Sequence, residues 1–234
     1  MILEVIATSV MDAKLAQEHG ADRIELISGI AEGGVTPSVG LIEQVVKAVD
    51  IPVNVMLRPH ANSFRYDKDD LAVMLRDARV IRESGAAGIV MGMLDARGEI
   101  DTAALELLLG ETGELAVTFH RAFDELEDRR SALELLSRYP AIRKILTSGG
   151  KPSALDAKEE IAELAKLSEG RSLDILAGSG LGLTSLDEFI RQTKIREVHM
   201  GTGVRRNGRA LEPIDPEKLK AAADIVGRHK SSTA

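Results

Sequence analysis

Eight short β-prone runs, each followed by a stretch with helical periodicity, extend along the whole chain. Strands that alternate with helices favour a parallel sheet, because each parallel connection needs a crossover about as long as a helix. The predicted strands are residues 3–6, 23–26, 53–57, 88–91, 116–119, 144–146, 174–177 and 197–200.

Eight such units favour a single-domain α/β fold, the closed (β/α)₈ or TIM barrel, over a doubly wound open sheet. The units are evenly spaced, and the helix-to-strand junction at residues 19–24 resembles the one at 84–89, as a repeated unit would. Counting strands alone leaves the open sheet as the competing fold. We place the barrel at residues 1–228 and expect residues 229–234 to form a frayed tail.

Start and stop signals agree with the predicted helices. One helix carries an apolar stripe at Leu71, Met74, Ala78 and Ile81, a spacing that puts these side chains on one face. The residues predicted to cap helix N-termini are Ser9, Ser38, Asp101 and Thr184. Glycines predicted to mark helix ends are Gly20, Gly85 and Gly170.

Composition and charge exclude several classes of function. A net charge of −7 repels a phosphate backbone, and 3% aromatic residues with no Trp give few platforms for stacking bases. The absence of cysteine excludes disulfides and thiolate chemistry and is typical of a reducing compartment. Residues 1–5 lack a basic segment and read as a strand, not as a signal peptide, and no apolar run is long enough to span a bilayer. We therefore expect a cytoplasmic protein that binds neither nucleic acid nor membrane.

Polar residues gather where the predicted strands end, which is where barrels of this type build their sites. His60, His120 and His199 lie at three such ends and are candidate general bases or metal ligands. Glu4 and Glu25 interrupt apolar strands and, if they point inward, need a cation or hydrogen-bond donors.

Arg58 and Arg121 are the expected partners of these two carboxylates. The predicted catalytic residues are Glu4, Glu25, Arg58, His120, Arg121 and Asp124. In the catalytic interpretation the arginines hold an anion, His120 moves a proton, and Glu25 or Glu4 orients or accepts one. In the structural interpretation the same residues form an internal ion-pair network, and the sequence leaves both open.

Glycine-rich turns after the last three strands can present backbone N–H groups to an anion. The residues predicted to form this binding site are Ser148, Gly149, Gly178, Ser179, Gly180 and Gly201. The expected ligand is a small anionic or phosphorylated metabolite, and lyase or isomerase chemistry suits such a site. Schiff-base chemistry suits it poorly, because Lys144 starts the sixth predicted strand at the end away from the site.

Several long strings resemble the CutC family, which is named for a role in copper homeostasis. They span residues 3–5 (LEV), 20–26 (GADRIEL), 33–38 (GGVTPS), 51–59 (IPVNVMLRP), 118–124 (TFHRAFD) and 146–150 (LTSGG). The resemblance implies a (β/α)₈ barrel, a cytoplasmic location, a homodimer and copper as the bound metal.

Copper would have to be bound here without cysteine. Cu(I) prefers soft sulfur ligands, and relatives often carry Cys where this chain has Ile6 and Ile27. The remaining candidate ligands are His120 and His199 with the methionines Met56, Met91, Met93 and Met200. Three hypotheses follow: an enzyme on a small anion, a copper-binding protein, and a site for a harder cation at the glutamates and histidines.

Overall fold

Residues 1–230 are described by the structure, a computed structural model, and they form one closed barrel of eight parallel strands in chain order. The strands are β1 (Ile2–Ala7), β2 (Arg23–Leu26), β3 (Val53–Met56), β4 (Gly88–Met91), β5 (Ala116–Phe119), β6 (Ile142–Thr147), β7 (Asp174–Gly178) and β8 (Glu197–Met200). The helices are α1 (Val10–Glu18), α2 (Val39–Ala48), α3 (Lys68–Glu83), α4 (Thr102–Thr112), α5 (Arg129–Leu136), α6 (Lys158–Ser168), α7 (Leu183–Thr193) and α8 (Pro216–Lys230). The predicted TIM barrel is confirmed.

The sixth strand starts earlier than the sequence indicates. It begins at Ile142, and its register skips Arg143, because Val117 and Thr118 of β5 pair with Ile142 and Lys144. Lys144 is therefore the third residue of the strand and not its first. The start of the strand was predicted too late because Arg143 and Lys144, two consecutive charged residues, interrupt its apolar pattern.

The strands are buried on both faces, as expected of a parallel barrel covered by helices. Outward side chains such as Leu3, Val55 and Ile89 pack against the helices in the main core. Inside the barrel, Ile27, Met56 and Val90 form a small apolar cluster towards the carboxyl ends of the strands. Below this cluster the barrel interior contains charged side chains, and these form the base of the candidate site.

Three of the four predicted N-caps are confirmed. The side chains of Ser9, Ser38 and Asp101 accept hydrogen bonds from backbone N–H groups of α1, α2 and α4. The prediction that Thr184 caps a helix was wrong, because Thr184 lies inside α7, which begins at Leu183 after Gly182. Ser185 binds both backbone groups of Gly182 and so stabilises this helix start without a capping side chain at Thr184.

The end of the chain is helical further than expected. Helix α8 includes His229 and Lys230, which the sequence analysis assigned to a frayed tail. His229 binds Asp187 of α7 at 3.0 Å, a contact that fixes the last turn. The rest of that tail, residues 231–234, lies outside the described residues. No helix within residues 1–230 combines the length and apolarity that a membrane span requires.

Candidate active site

A cavity of about 420 Å³ opens at the carboxyl ends of the strands, on the face predicted from the sequence. Its apolar lining is Ile6, Ile27, Ile30, Met56, Ala61, Phe64, Leu146 and Leu181. The charged and imidazole side chains in the lining are Glu25, Glu32, Arg58, His120, Arg121, Glu125 and His199. Four of the six predicted catalytic residues therefore share one cavity with His199.

Beneath the cavity a buried ion-pair network joins β1, β2 and β8. The register places Glu4 beside both Arg23 and His199. Arg23 bridges Glu4 and Glu197, its Nη2 lying 2.5 Å from Glu197 Oε2. Burial alone would raise the pKa of Glu4, but Arg23 and then His199 lower it to about 2. Glu4 is therefore a permanent anion that anchors His199 and does not exchange protons near neutral pH.

Glu25 and His199 form the part of the site next to this ion-pair network that can exchange protons. His199 Nδ1 lies 2.8 Å from Glu4 Oε1, and its Nε2 lies 3.6 Å from Glu25 Oε2. Burial raises the pKa of Glu25 to about 7, which nearby His199 only partly offsets. The pKa of His199 is raised by Glu25 and Glu4 against the effect of its own burial. Among the described residues Glu25 Oε1 has no hydrogen-bond partner, so this oxygen is available to take up and release a proton near pH 7.

Arg58 lies on another wall and is a buried cation without a carboxylate. Its side chain is only 6% exposed, and it donates to the carbonyl oxygens of Gly34 and Ala61 at 3.1 and 3.3 Å. Its Nε has no partner, and none of the ion pairs found within residues 1–230 includes it. Burial raises the pKa of nearby Tyr66 to about 12, so this phenol is neutral.

His120 lies near Arg58 and presents an N–H group. Its Nδ1 accepts the backbone N–H of Ala122 at 3.2 Å, which leaves the proton of the neutral ring on Nε2. Burial and the charge of Arg58 lower the pKa of His120 to about 3. Nε2 has no hydrogen-bond partner within residues 1–230, so His120 is a neutral hydrogen-bond donor and not the base that the sequence suggested.

One aromatic residue joins these two donors. Phe64, from the loop between β3 and α3, lies under the Arg58 guanidinium, with 4.6 Å between Cζ and the ring centroid. The same ring packs against the His120 imidazole at a centroid distance of 4.8 Å. Arg58 and His120 are thus held side by side on one wall.

Asp124 does not line the cavity. Its carboxylate accepts hydrogen bonds from the backbone of Ser148 and Gly150 and from the hydroxyl of Thr147, and it pairs with Arg121 at 2.7 Å. It fixes the turn after β6 and holds Arg121 at the edge of the cavity. Its predicted catalytic role has no geometric support.

The predicted anion-binding glycines separate into two groups. Ser179, Gly180 and Gly201 line the cavity. Gly178 lies just below it, where a Cβ would come within 3.1 Å of His199.

Ser148 and Gly149, also predicted to bind the anion, lie outside the cavity lining. Ser148 is bound to Asp124 at 2.9 Å, and Gly149 packs against Ala157, to which a Cβ would come within 2.6 Å. The turn after β6 is therefore held by internal contacts, which the glycine pattern alone could not reveal.

Two further expectations are corrected. Arg58 and Arg121 are not the partners of Glu4 and Glu25, because Arg23 and His199 occupy those positions in the register. His60, at the end of β3, points away from the cavity and binds Asp70 at 3.2 Å.

Sequence reasoning missed Arg23, Glu197 and Phe64. Arg23 and Glu197 share inward parity with Glu25 and His199 on their strands, so the alternation rule could have found both. Phe64 lies in an irregular loop, where no periodicity gives the direction of a side chain.

The donors present fit a metal centre poorly. Glu4, Glu25 and His199 bring ligand atoms within 4.8 Å of one another, but Glu4 is already bound to His199, Arg23 and Asn54. A cation would find only Glu25 and His199 Nε2, whereas lasting protein sites have three or four ligands. His120, the other predicted metal ligand, follows β5 and does not lie beside His199.

The softer copper ligands are also dispersed. Met56 lines the cavity, but the other three candidate methionines, Met91, Met93 and Met200, are buried in the core between barrel and helices. A Cu(I) ion therefore meets one thioether here, which does not fit its preference for several sulfur ligands.

Comparison with known proteins gives the family. A family model described as the CutC family matches residues 1–204. The chain belongs to the CutC family. The CutC family protein of Yersinia enterocolitica is 40% identical over 201 residues, which cover 86% of this chain and 78% of that protein. That of Salmonella enteritidis is 39% identical over 203 residues, 87% of this chain and 80% of that protein.

Solved structures agree with this assignment. The CutC protein of Streptococcus agalactiae, whose given name refers to copper homeostasis, has a TM-score of 0.80 at 27% identity and covers 85% of this chain and 97% of its own. Phosphoribosyl anthranilate isomerase from Thermococcus kodakaraensis has a TM-score of 0.64 at 19% identity, with coverage of 96% and 98%. The second likeness concerns the barrel fold alone.

Proposed function

We propose that this CutC family member is a cytoplasmic enzyme that acts on a small anionic metabolite in the cavity at the mouth of the barrel. The observation that carries the proposal is the buried Arg58 cation without a counter-ion. Buried charges are costly unless they are paired, so such a cation persists where a ligand supplies the missing anion.

The other groups in the cavity support catalysis over simple storage of an anion. Glu25 titrates near neutral pH, as an effective general acid or base must. Arg121 adds a second cation at the edge. Apolar side chains form much of the cavity wall, and they lower the local polarity around a ligand, which strengthens each electrostatic contact with it.

Thermal unfolding with added anions tests the proposal. Phosphate, sulfate and small carboxylates are added at pH 7 and compared with chloride at equal ionic strength. We expect at least one of them to raise the melting temperature of the wild-type protein, because a ligand that binds only the folded state stabilises it. Arg58→Met should abolish this protection.

Arg130→Met is the matched control, since Arg130 forms an exposed ion pair with Glu163 away from the cavity. It should retain full protection. Absence of protection in the wild type, or equal protection of Arg58→Met, would contradict the proposal. As a second readout, His120→Ala should abolish turnover of the metabolite that the wild-type protein consumes in cell extract.

Copper binding is the second candidate, favoured by the family's association with copper homeostasis and by Met56 and His199 in one cavity. It requires Cu(I) to be retained at one ion per chain, with submicromolar affinity, after dialysis under reducing conditions. Elemental analysis of the wild-type protein and a Met56→Leu/His199→Gln variant decides the matter. Substoichiometric copper, or equal copper in both proteins, would eliminate this candidate.

A homodimer is part of the proposal, supported by the family resemblance. Light scattering coupled to size exclusion should give twice the chain mass of 25.2 kDa. A mass of one chain at micromolar concentration would remove this part alone.

A further inference from the structure

We infer that the reaction is proton transfer at a carbon next to a carbonyl group, and that the substrate is a small carbonyl compound with an anionic group a few bonds away. This inference rests on the proposed function and names its substrate class. It depends on the placement of one base and two kinds of donor around an apolar cavity.

The first element is a neutral imidazole donor. Because Nδ1 of His120 is occupied by the Ala122 N–H, the Nε2–H is its free group, and it has no partner. A neutral N–H donor is suited to a carbonyl oxygen whose negative charge increases during the reaction. An anionic group bound by Arg58 would lie close to this oxygen, since both side chains contact the Phe64 ring.

The second element is a base on a different wall. Glu25 is on β2 and His120 follows β5, three strands apart in a ring of eight. A substrate held by Arg58 and His120 therefore extends across the apolar centre towards Glu25. The Glu25 carboxyl group is buried, next to His199, and has a free oxygen.

The cavity lining excludes Schiff-base chemistry, which is the common alternative way to stabilise a carbanion. It includes no lysine, and Lys144 lies within β6 among the charges beneath the cavity, near Arg23. A Schiff base is therefore out of reach. The enolate must be stabilised by hydrogen bonds and charge, which His120 and Arg58 can supply.

The step balances without a co-reactant. Glu25, as the carboxylate, takes the proton from the carbon, and the C–H electron pair forms a C=C bond while the carbonyl electron pair moves onto oxygen. The resulting enolate oxygen accepts a hydrogen bond from the His120 Nε2–H group. Return of the proton from Glu25 to the same carbon re-forms the carbonyl group and gives the epimer. Where that carbon carries a hydroxyl group, the hydroxyl proton passes to the enolate oxygen, and return of the Glu25 proton to the neighbouring carbon gives the isomer.

Access to Nε2 requires a small movement. The atom is buried, and two rings contact the imidazole, Phe64 of the β3–α3 loop and Phe119 of β5. Phe119 is held within the strand, so a substrate carbonyl reaches Nε2 when Phe64 moves aside. The apolar face of Phe64 then shields the enolate from water.

Calorimetry with two matched probes tests the inference. Phosphonoacetohydroxamate resembles an enolate, and phosphonoacetamide carries the same phosphonate with an ordinary amide. In the presence of EDTA, we expect the hydroxamate to bind the wild-type protein at least tenfold more tightly. His120→Phe should reduce that ratio to about one and keep amide binding, while Arg58→Met should weaken both.

The possible results distinguish failure of the carbonyl inference from failure of the proposed function. Equal affinity of both probes for the wild type overturns the carbonyl inference and leaves anion binding standing. Binding of neither probe by a protein that phosphate still protects against heat also overturns it. Absence of protection by any anion overturns the proposed function itself.

Hydrogen exchange provides the direct chemical readout. The protein is incubated in D₂O with a mixture of small 2-oxo acids and hydroxycarbonyl phosphates, and loss of C–H signals is followed by proton NMR. We expect exchange in one compound with the wild type and with Glu43→Gln, an exposed glutamate on α2. Glu25→Gln should abolish it, and exchange in no compound would refute the inference.

Discussion

Single residues in this barrel differ sharply in how their charge is compensated. Arg23 and Arg205 are buried and each contacts a carboxylate, Arg205 at 2.9 Å from Asp12. Arg58 is equally buried and contacts carbonyl oxygens, the Phe64 ring and the neutral Tyr66 hydroxyl, but no carboxylate within residues 1–230. The three arginines are all buried, but Arg58 alone among them has no carboxylate partner within residues 1–230, which supports the proposal that a ligand supplies its counter-charge.

The pH dependence of stability tests the state of Glu25. The groups that face it are His199, Glu4 and Arg23. Because its folded pKa of about 7 exceeds its ordinary value of 4.5, the unfolded chain loses this proton first, and stability falls as pH rises through that window. The raised pKa of His199 acts in the same direction above its ordinary 6.5. Protonation of Glu4 lowers stability only below pH 4.5.

We therefore expect the free energy of unfolding in urea to be largest near pH 5 and to fall by on the order of 2 kcal/mol by pH 8. Glu25→Gln should remove most of this fall, since Glu25 is also the main cause of the raised His199 pKa. A wild-type stability that rises from pH 5 to pH 8 would show that Glu25 is ionised throughout.

The buried ion pairs give a second prediction for a single residue. Arg23→Met leaves Glu4 and Glu197 buried without their shared cation, and such a loss typically costs about 3–5 kcal/mol. Urea unfolding at pH 7 measures it. Arg79→Met, which breaks the exposed pair with Glu111, is the control and should cost much less. Equal losses would mean that the network adds no more than a surface pair.

At the scale of elements, the strands bring the site together and the glycines make room for it. Glu4, Glu25 and His199 come from β1, β2 and β8, which are neighbours only because the barrel closes. Gly92, just after β4, leaves space for His120 at the end of β5. The site is therefore a property of adjacent strand ends and not of any one motif.

Gly92→Ala tests this packing. The new Cβ would lie 2.5 Å from His120 Nδ1, so the imidazole must move away from its position. We expect the preference for phosphonoacetohydroxamate to fall at least tenfold while the protein stays folded by circular dichroism. Gly110→Ala in α4 meets nothing within 4 Å and should leave the preference unchanged. An unchanged preference in Gly92→Ala would contradict the assigned position of His120.

At the scale of the whole molecule, the periodic pattern predicted the barrel because each unit must bury one strand and one helix face. The same rule placed Glu25, Arg58 and His120 at one mouth. It failed where contacts depend on register, as in the pairing of Glu4 with Arg23 instead of Arg58. It also failed in irregular turns, where Asp124 and Ser148 are hydrogen-bonded to each other outside the cavity lining.

The most direct measurement is a crystal structure of the protein soaked in selenate, a tetrahedral anion that selenium's anomalous scattering locates without ambiguity. The account predicts a selenium peak inside the cavity, with selenate oxygens within hydrogen-bonding distance of the Arg58 guanidinium, and no such peak in Arg58→Met crystals. Selenate bound only on the outer surface, or in the cavity without contact to Arg58, would contradict it.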